Sequence, residues 1–197
     1  PIEKIDVSII IPVYNQFKYT MQCLNSIKQN TQDVNYEIII IDDCSTDETK
    51  NLEQFVKNVK IIRNESNLGF LRNCNKAAKE AKGKYLYLLN NDTIVLKNAI
   101  LELKNIIDKY DNCAAVGSKL VYPNGELQGA GSIIFEDGNV CSIGHLNNPM
   151  FYEYNIIKEV DYCCGASLMI KKFLWDNLGG FDEIYAPGYY EETDLCL

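Results

Sequence analysis

The stretch Lys84-Tyr85-Leu86-Tyr87-Leu88-Leu89-Asn90-Asn91-Asp92-Thr93 decides the fold. Five consecutive apolar or aromatic residues, Tyr85 to Leu89, without polar alternation predict a strand covered on both faces, as in the parallel sheet of an α/β domain. Packing does not call for the two amides and the carboxylate that follow. At the carboxyl end of a buried strand they fall in the crevice where open α/β sheets bind ligands. Asp92 is thereby placed to hold a metal ion or a substrate hydroxyl; the rival reading is a plain turn, which Asn and Asp also favour.

Working outward, Val7-Ser8-Ile9-Ile10-Ile11 is a first strand closed by Pro12, and Glu37 to Ile41 a second that ends in Asp42-Asp43-Cys44-Ser45. Between them Phe17, Met21, Leu24 and Ile27 recur at helical spacing. Ser45 and Glu48 have capping-box spacing and predict a helix carrying Leu52, Phe55 and Val56. Val59 to Ile62 is a third strand. Phe70 to Ala81 is a small-residue helix for which Gly83 reads as the terminating residue. The first ninety residues thus alternate β-α-β-α-β-α-β, and right-handed crossovers make this a Rossmann-like, mostly parallel central sheet flanked by helices. Asp43 and Asp92 then lie on one edge of it.

Beyond Asp92, Ile100, Leu103, Ile107 and Tyr110 have helical spacing, and Ala114 to Gly117 form an apolar strand. Periodicity weakens from Ser118 to Val160, where Pro123-Asn124-Gly125 and Glu136-Asp137-Gly138 signal hairpins or loops. Gly165 to Ile170 reads as a small-residue turn and strand. A helix is expected from Phe173 to Leu178. Tyr190 to Leu197 reads as the opening of a further helix without a cap, so residues 1–197 are expected to be one catalytic domain cut at its C-terminal end.

Composition narrows the function. The chain has 197 residues, enough to bury a core without disulfides or a structural metal, with 19 Lys plus Arg against 27 Asp plus Glu and a net charge of −8. That balance argues against general nucleic-acid binding, which neutralises phosphates with Lys and Arg. Eight cysteines are scattered through apolar segments with no Cys-x-x-Cys pair, which reads as buried thiols of a cytosolic protein. No apolar run approaches the ~20 residues that span a bilayer. The single histidine, His145, falls in a polar loop. There is no Gly-x-x-x-x-Gly-Lys loop for an ATPase, no Gly-x-Ser-x-Gly elbow for a hydrolase, and Gly129-Ala130-Gly131 lacks the context of a dinucleotide fingerprint. What remains are three acidic groups: Asp42/Asp43, Asp92, and Glu191/Glu192/Asp194. Carboxylates with amide or water oxygens are ligands for hard cations, and Mg²⁺ typically takes one or two carboxylates plus substrate phosphates.

Six motifs occur in register: Val7 to Asn15, Ile41-Asp42-Asp43-Cys44-Ser45-Thr46-Asp47, Asn67-Leu68-Gly69-Phe70, Leu88-Leu89-Asn90-Asn91-Asp92-Thr93, Gly179-Gly180-Phe181-Asp182 and Tyr190-Glu191-Glu192-Thr193-Asp194-Leu195. Together they resemble glycosyltransferase family 2, polysaccharide or O-antigen-type sugar transferases with the GT-A fold, over nearly the whole chain. The resemblance implies that Pro12, Tyr14 and Asn15 border the nucleotide base, that Asp43 accepts from the base N–H, and that Arg72 approaches the diphosphate. Asn91 is placed with this nucleotide-binding set. Asp92 matches the last acid of the family's Asp-x-Asp metal motif and Asn90 stands where its first acid would be, so these two are the candidate ligands of Mn²⁺ or Mg²⁺. Glu192 matches the catalytic base, more often Asp in the family; Glu191 and Asp194 are its neighbours, and either Glu192 or Asp194 takes the proton.

The activity so implied is inverting, metal-dependent transfer of a hexosyl or related sugar from a UDP-, GDP- or dTDP-sugar to a glycan or lipid-linked glycan acceptor of the cell envelope. The implied setting is the cytoplasm, peripheral at the inner face of the membrane. Two rival readings are a binding module that keeps nucleotide-sugar affinity without catalysis, and a sugar-phosphate nucleotidyltransferase. The latter calls for a Gly-rich basic loop after the first strand, where this chain has Val13-Tyr14-Asn15-Gln16.

Overall fold

The isoleucine runs become the centre of a six-stranded sheet. The computed structural model describes residues 4–197. The strands of this sheet are β1 (Val7–Val13), β2 (Tyr36–Asp42), β3 (Lys60–Arg63), β4 (Tyr85–Leu89), β5 (Ala115–Gly117) and β10 (Ser167–Lys171), in the order β3-β2-β1-β4-β10-β5. β1 runs parallel to both β2 and β4, and β2 parallel to β3, while β10 is antiparallel to β4 and β5. The sheet is therefore mostly parallel, as the alternation predicts, with one reversed strand.

Successive side chains of a strand point to opposite faces, and here both faces are covered. Ile9, Ile11, Ile40, Tyr85 and Tyr87 pack under α1 (Phe17–Asn30) and α3 (Ala99–Lys109). Ile10, Ile39, Ile41, Leu86 and Leu88 pack under α2 (Phe70–Ala78) and α4 (Lys172–Leu178). This two-sided burial is what the unbroken apolar runs require. From Ser118 to Ala166 the chain leaves the sheet and makes two small hairpins, β6 (Leu120–Val121) with β7 (Leu127–Gly129) and β8 (Ser132–Ile134) with β9 (Val140–Ser142). The short helix α5 (Glu191–Cys196) closes the sequence.

Three local expectations need correction. β1 does not end at Pro12: it pairs with β2 as far as Val13↔Asp42, while pairing with β4 stops at Ile10↔Leu88. At Pro12 only one side of β1 carries a ladder, so the missing N–H is tolerated. The capping box does not form either. The Asp47 carboxylate accepts from Thr49 N and caps a 3-10 turn at Glu48–Gln54, because Ser45 Oγ is taken by Asn15 N at 2.7 Å. Finally, α2 ends at Ala78, and Gly83 serves close approach rather than helix termination. A Cβ on Gly83 would lie 2.5 Å from Ser8 N, and Gly83 N donates to Ser8 Oγ at 2.8 Å.

All eight cysteines are free. Only Cys23 and Cys74 are buried, and Cys141 is exposed, so the expectation of uniformly buried thiols holds for two of them. No helix among the described residues is long and apolar enough to cross a membrane.

Candidate active site

The polar groups that the sequence singled out collect along the carboxyl ends of the parallel strands. After β1 and β2 they are tied to one another. Asn15, in left-handed backbone at φ 58°, accepts at Oδ1 from Thr46 N and Asp47 N at 2.8 and 3.2 Å. Asp47 in return accepts from Phe17 N at 3.0 Å. Burial would raise the Asp47 carboxyl, but hydrogen bonds from Thr49, Phe17 and Gln16 hold it below its ordinary value. Asp42 accepts from Ser45 N at 2.9 Å and pairs with Arg63, which fits a turn-capping role.

Asp43 is 2% exposed, and its carboxylate receives three donors: Asn64 Nδ2 at 2.9 Å, Leu68 N at 2.8 Å and Gly69 N at 2.9 Å. Asn64 also donates to Asn73 Oδ1 at 2.5 Å and accepts from Lys76 Nζ at 2.7 Å. Asp43 thus fixes the turn that starts α2. Tyr14, 53% exposed, stands at the rim of this region, with Pro12 half-buried beneath it.

The end of β4 is arranged differently. Asn91 is pinned to α1, its Nδ2 donating to Thr20 Oγ1 at 3.0 Å. The carboxylate of exposed Asp92 and the carboxamide of half-buried Asn90 have no hydrogen-bond partner among the described residues, although Asn90 N donates to Ala166 O at 3.1 Å. Here the reversed strand matters. Because β10 runs against β4, the residues before it, Gly165 and Ala166, reach the carboxyl end of β4. Gly165 N in turn donates to Glu192 Oε1 at 3.5 Å. Asn90 and Glu192 line one open hollow of about 540 Å³, together with Phe70, Tyr162, Tyr189 and Glu191.

The three C-terminal acids separate in space. Glu192 is half-buried in the hollow. Glu191 is 5% exposed, its Oε2 has no partner, and burial raises its carboxyl above the ordinary range, with the neighbouring Glu192 charge acting in the same direction. Asp194 is exposed, lines a different cavity of about 1110 Å³ at the β5 edge, and accepts from Tyr185 OH at 3.1 Å. Arg72 is exposed and paired: its Nε donates to Glu183 Oε2 at 2.8 Å, tying α2 to the segment before α5.

Four residues escaped the sequence reading. Asn75 clamps the backbone of Phe181 from both sides, donating to its carbonyl at 2.8 Å and accepting from its N–H at 2.9 Å, which steers the chain toward α5. Nothing in the sequence marks it. Asn64 directly follows β3, so the strand-end rule that found Asp43 and Asp92 would have found it too. Tyr189 precedes the acidic segment with no signature of its own, and Tyr190 opens the sixth motif without any role assigned to it there.

The side chains of Asn90 and Asp92 offer oxygen donors; the thiol nearest them, Cys23, contacts Asn90 O and Thr93 Oγ1 at 3.8 Å and is pushed up to about 11 by burial, so it stays protonated, and no group of three potential metal ligands occurs among the described residues. Such a set fits a hard cation that draws its remaining ligands from substrate phosphates.

The architecture is that of the GT-A glycosyltransferases. The structure superposes on that of S. aureus TarS residues 1–349 in complex with UDP with a TM-score of 0.72 at 22% identity, covering 98% of this chain and 54% of that one. It also superposes on GalNAc-T7 with UDP, GalNAc and Mn²⁺, with a TM-score of 0.79 at 19% identity, covering 100% and 40%. The model of the family described as Glycosyl transferase family 2 matches residues 8–178, and the chain belongs to that family. Among its relatives, it is 32% identical over 108 residues to the poly(ribitol-phosphate) beta-N-acetylglucosaminyltransferase TarS of Staphylococcus aureus, covering 52% of this chain and 19% of TarS. A second, uncharacterized relative from Sinorhizobium fredii is 28% identical over 97% of this chain, which spans 22% of that protein's length.

Proposed function

We propose that this chain carries the catalytic centre of an inverting glycosyltransferase that moves a sugar from a nucleoside-diphosphate donor to a hydroxyl of a glycan. The observation that supports this best is the hollow shared by Asn90, at the end of β4, and Glu192, on α5, with Gly165 and Ala166 between them. At one end Asn90 offers a carboxamide oxygen, with Asp92 two residues further on outside the lining; at the other Glu192 offers a carboxylate. The names of the relatives and neighbours favour a nucleotide-sugar donor.

In this reading Asp92, with Asn90, holds Mn²⁺ or Mg²⁺, and the cation, when bound, offsets the charge that builds on the departing diphosphate. Pro12, Tyr14 and Asn15 border the base. Asp43 shapes the base site chiefly by fixing residues 64–69, since three of its roughly four lone-pair directions are occupied. The acceptor hydroxyl loses its proton to Glu192 as its oxygen bonds to the anomeric carbon. The bond from that carbon to the diphosphate oxygen breaks in the same step, its electron pair leaving with the nucleoside diphosphate, and the configuration inverts. Asp194, tied to Tyr185 at the other cavity, takes no part in proton transfer.

Donor turnover by the full-length protein tests this. Glu192→Gln should lower kcat by about 10²–10⁴-fold, the usual contribution of a positioned general base. Asp92→Ala should raise the Mn²⁺ concentration needed for half-maximal rate about tenfold or more. Both should melt at the wild-type temperature, as neither side chain is buried. Turnover indifferent to both substitutions overturns the assignment.

A further inference from the structure

The transfer chemistry leaves part of the hollow unused. Tyr189 and Tyr190 line it side by side, both in left-handed backbone, at φ 81° and 69°, a region bulky side chains rarely adopt. Strain of this kind persists where the surroundings impose it and collects at ligand sites. Tyr190 is held by its carbonyl, which accepts from Asp194 N at 2.9 Å. Tyr189 remains 87% exposed, an aromatic face presented to water beside the proposed base. Glu191 lines the same hollow at 5% exposure, but its Oε2, in contact with no donor, is closed off from solvent.

The rest of the lining has a consistent character. Val140, Tyr162 and Pro187 add apolar surface, and no Lys, Arg or His among the described residues lines the hollow. At the tyrosine end, away from the Asn90 end where a cation would offset a diphosphate, the Glu192 carboxylate meets no positive side chain and disfavours a polyanion. A pyranose ring suits such a surface. Its axial C–H bonds present a weakly positive face that lies favourably on the negative face of an aromatic ring, and its hydroxyls can donate to half-buried Glu192.

We infer that Tyr189 and Tyr190, beside Glu192, form the acceptor subsite, and that its occupant is an uncharged pyranose rather than a polyol-phosphate chain of the kind in TarS's name. The inference rests on the transfer reading above. In-line displacement brings the hydroxyl in opposite the leaving group, and the tyrosines stand beside Glu192, while Asn90 marks the end assigned to the diphosphate.

Saturation-transfer NMR on the full-length protein with UDP, GDP or dTDP and Mn²⁺ tests it. The probes are methyl β-glucopyranoside, methyl β-galactopyranoside, methyl α-mannopyranoside and ribitol 5-phosphate. At least one pyranoside should receive saturation at its ring C–H protons and ribitol 5-phosphate none. Tyr189→Ala should cut the pyranoside signal at least fivefold and Tyr189→Phe should keep it within twofold. Nucleotide-induced thermal stabilisation should be unchanged in both, which separates loss of the subsite from loss of the fold. Signal from ribitol 5-phosphate alone, no signal from any pyranoside, or a pyranoside signal unmoved by Tyr189→Ala overturns the subsite. Absence of stabilisation by every nucleotide is a different failure: it removes the transfer reading itself and the subsite with it.

Discussion

The acids on the two sides of the sheet's carboxyl edge live in opposite circumstances. At the ends of β1 and β2, Asp42, Asp43 and Asp47 are each engaged by backbone or side-chain donors, and Asn15 and Ser45 lock the two loops together. At the end of β4 and on α5, Asp92 and one oxygen of Glu191 have no partner among the described residues, and Glu192 has a single long contact there at 3.5 Å. The first group builds the walls of a site. In the second, exposed Asp92 and half-buried Glu192 remain open to solvent and to a ligand, and only Glu191 carries a buried oxygen without a partner.

This contrast predicts how substitutions divide. The largest effect on folding should come from the satisfied side. Asp43→Ala leaves the N–H groups of Asn64, Leu68 and Gly69 without their acceptor, a loss of about 3 kcal/mol at roughly 1 kcal/mol per stranded donor. A urea titration reads it as a lowered midpoint, which Asp43→Asn should partly restore through its carboxamide oxygen. An unmoved midpoint would mean that the 64–69 turn holds without it.

A smaller effect is expected at Glu191, and its sign follows from burial. The folded state raises this carboxyl above its ordinary 4.5, so it favours the protonated form. The stability this gives is fully present below 4.5 and is lost as pH rises through the folded value. Wild-type melting temperature should therefore fall from pH 4.5 upward more steeply than that of Glu191→Gln, which has no proton to lose. Parallel pH profiles would show that Glu191 titrates as it does in the unfolded chain. The smallest effect belongs to Asp194→Asn: an exposed acid facing the other cavity should leave the rate of sugar transfer within twofold of wild type. A loss comparable to that of Glu192→Gln would return the base to Asp194.

Much of the left half of this architecture can be read directly from residues, and less of the right. Ile38 to Ile41 and Tyr85 to Leu89 announce doubly covered strands because burial on both faces removes all polar alternation, a local property. Asp43 and Asp92 are found by the same logic at the strand ends. The place of β10 is not local. Ser167–Lys171 is an apolar run like the others, and only its pairing with β4 and β5, set by tertiary contacts, shows that it enters reversed. With that direction hidden, the link from Asn90 through Ala166 and Gly165 to Glu192 is hidden too. Ser45 and Glu48 fail as a capping box for a related reason: Asn15, far away in sequence, competes for the Ser45 hydroxyl. Gly83 imitates a helix terminator, whereas its real constraint is the backbone of Ser8 lying against it.

The excursion between β5 and β10 leaves the sheet and returns to it at the same place. Ser118 N donates to Ser167 O at 3.3 Å, and Ser167 Oγ donates to Ser118 Oγ at 2.8 Å, so the two feet of residues 118–166 stand side by side. A segment whose feet are pinned together behaves as an exchangeable cassette: its length and content can change at little cost in closure entropy while the six strands stay put. Since it delivers Gln128, Val140, Tyr162, Cys164 and Gly165 to the wall of the hollow, grafting a different cassette onto the same two serines would re-dress that wall without disturbing Asp92 or α1.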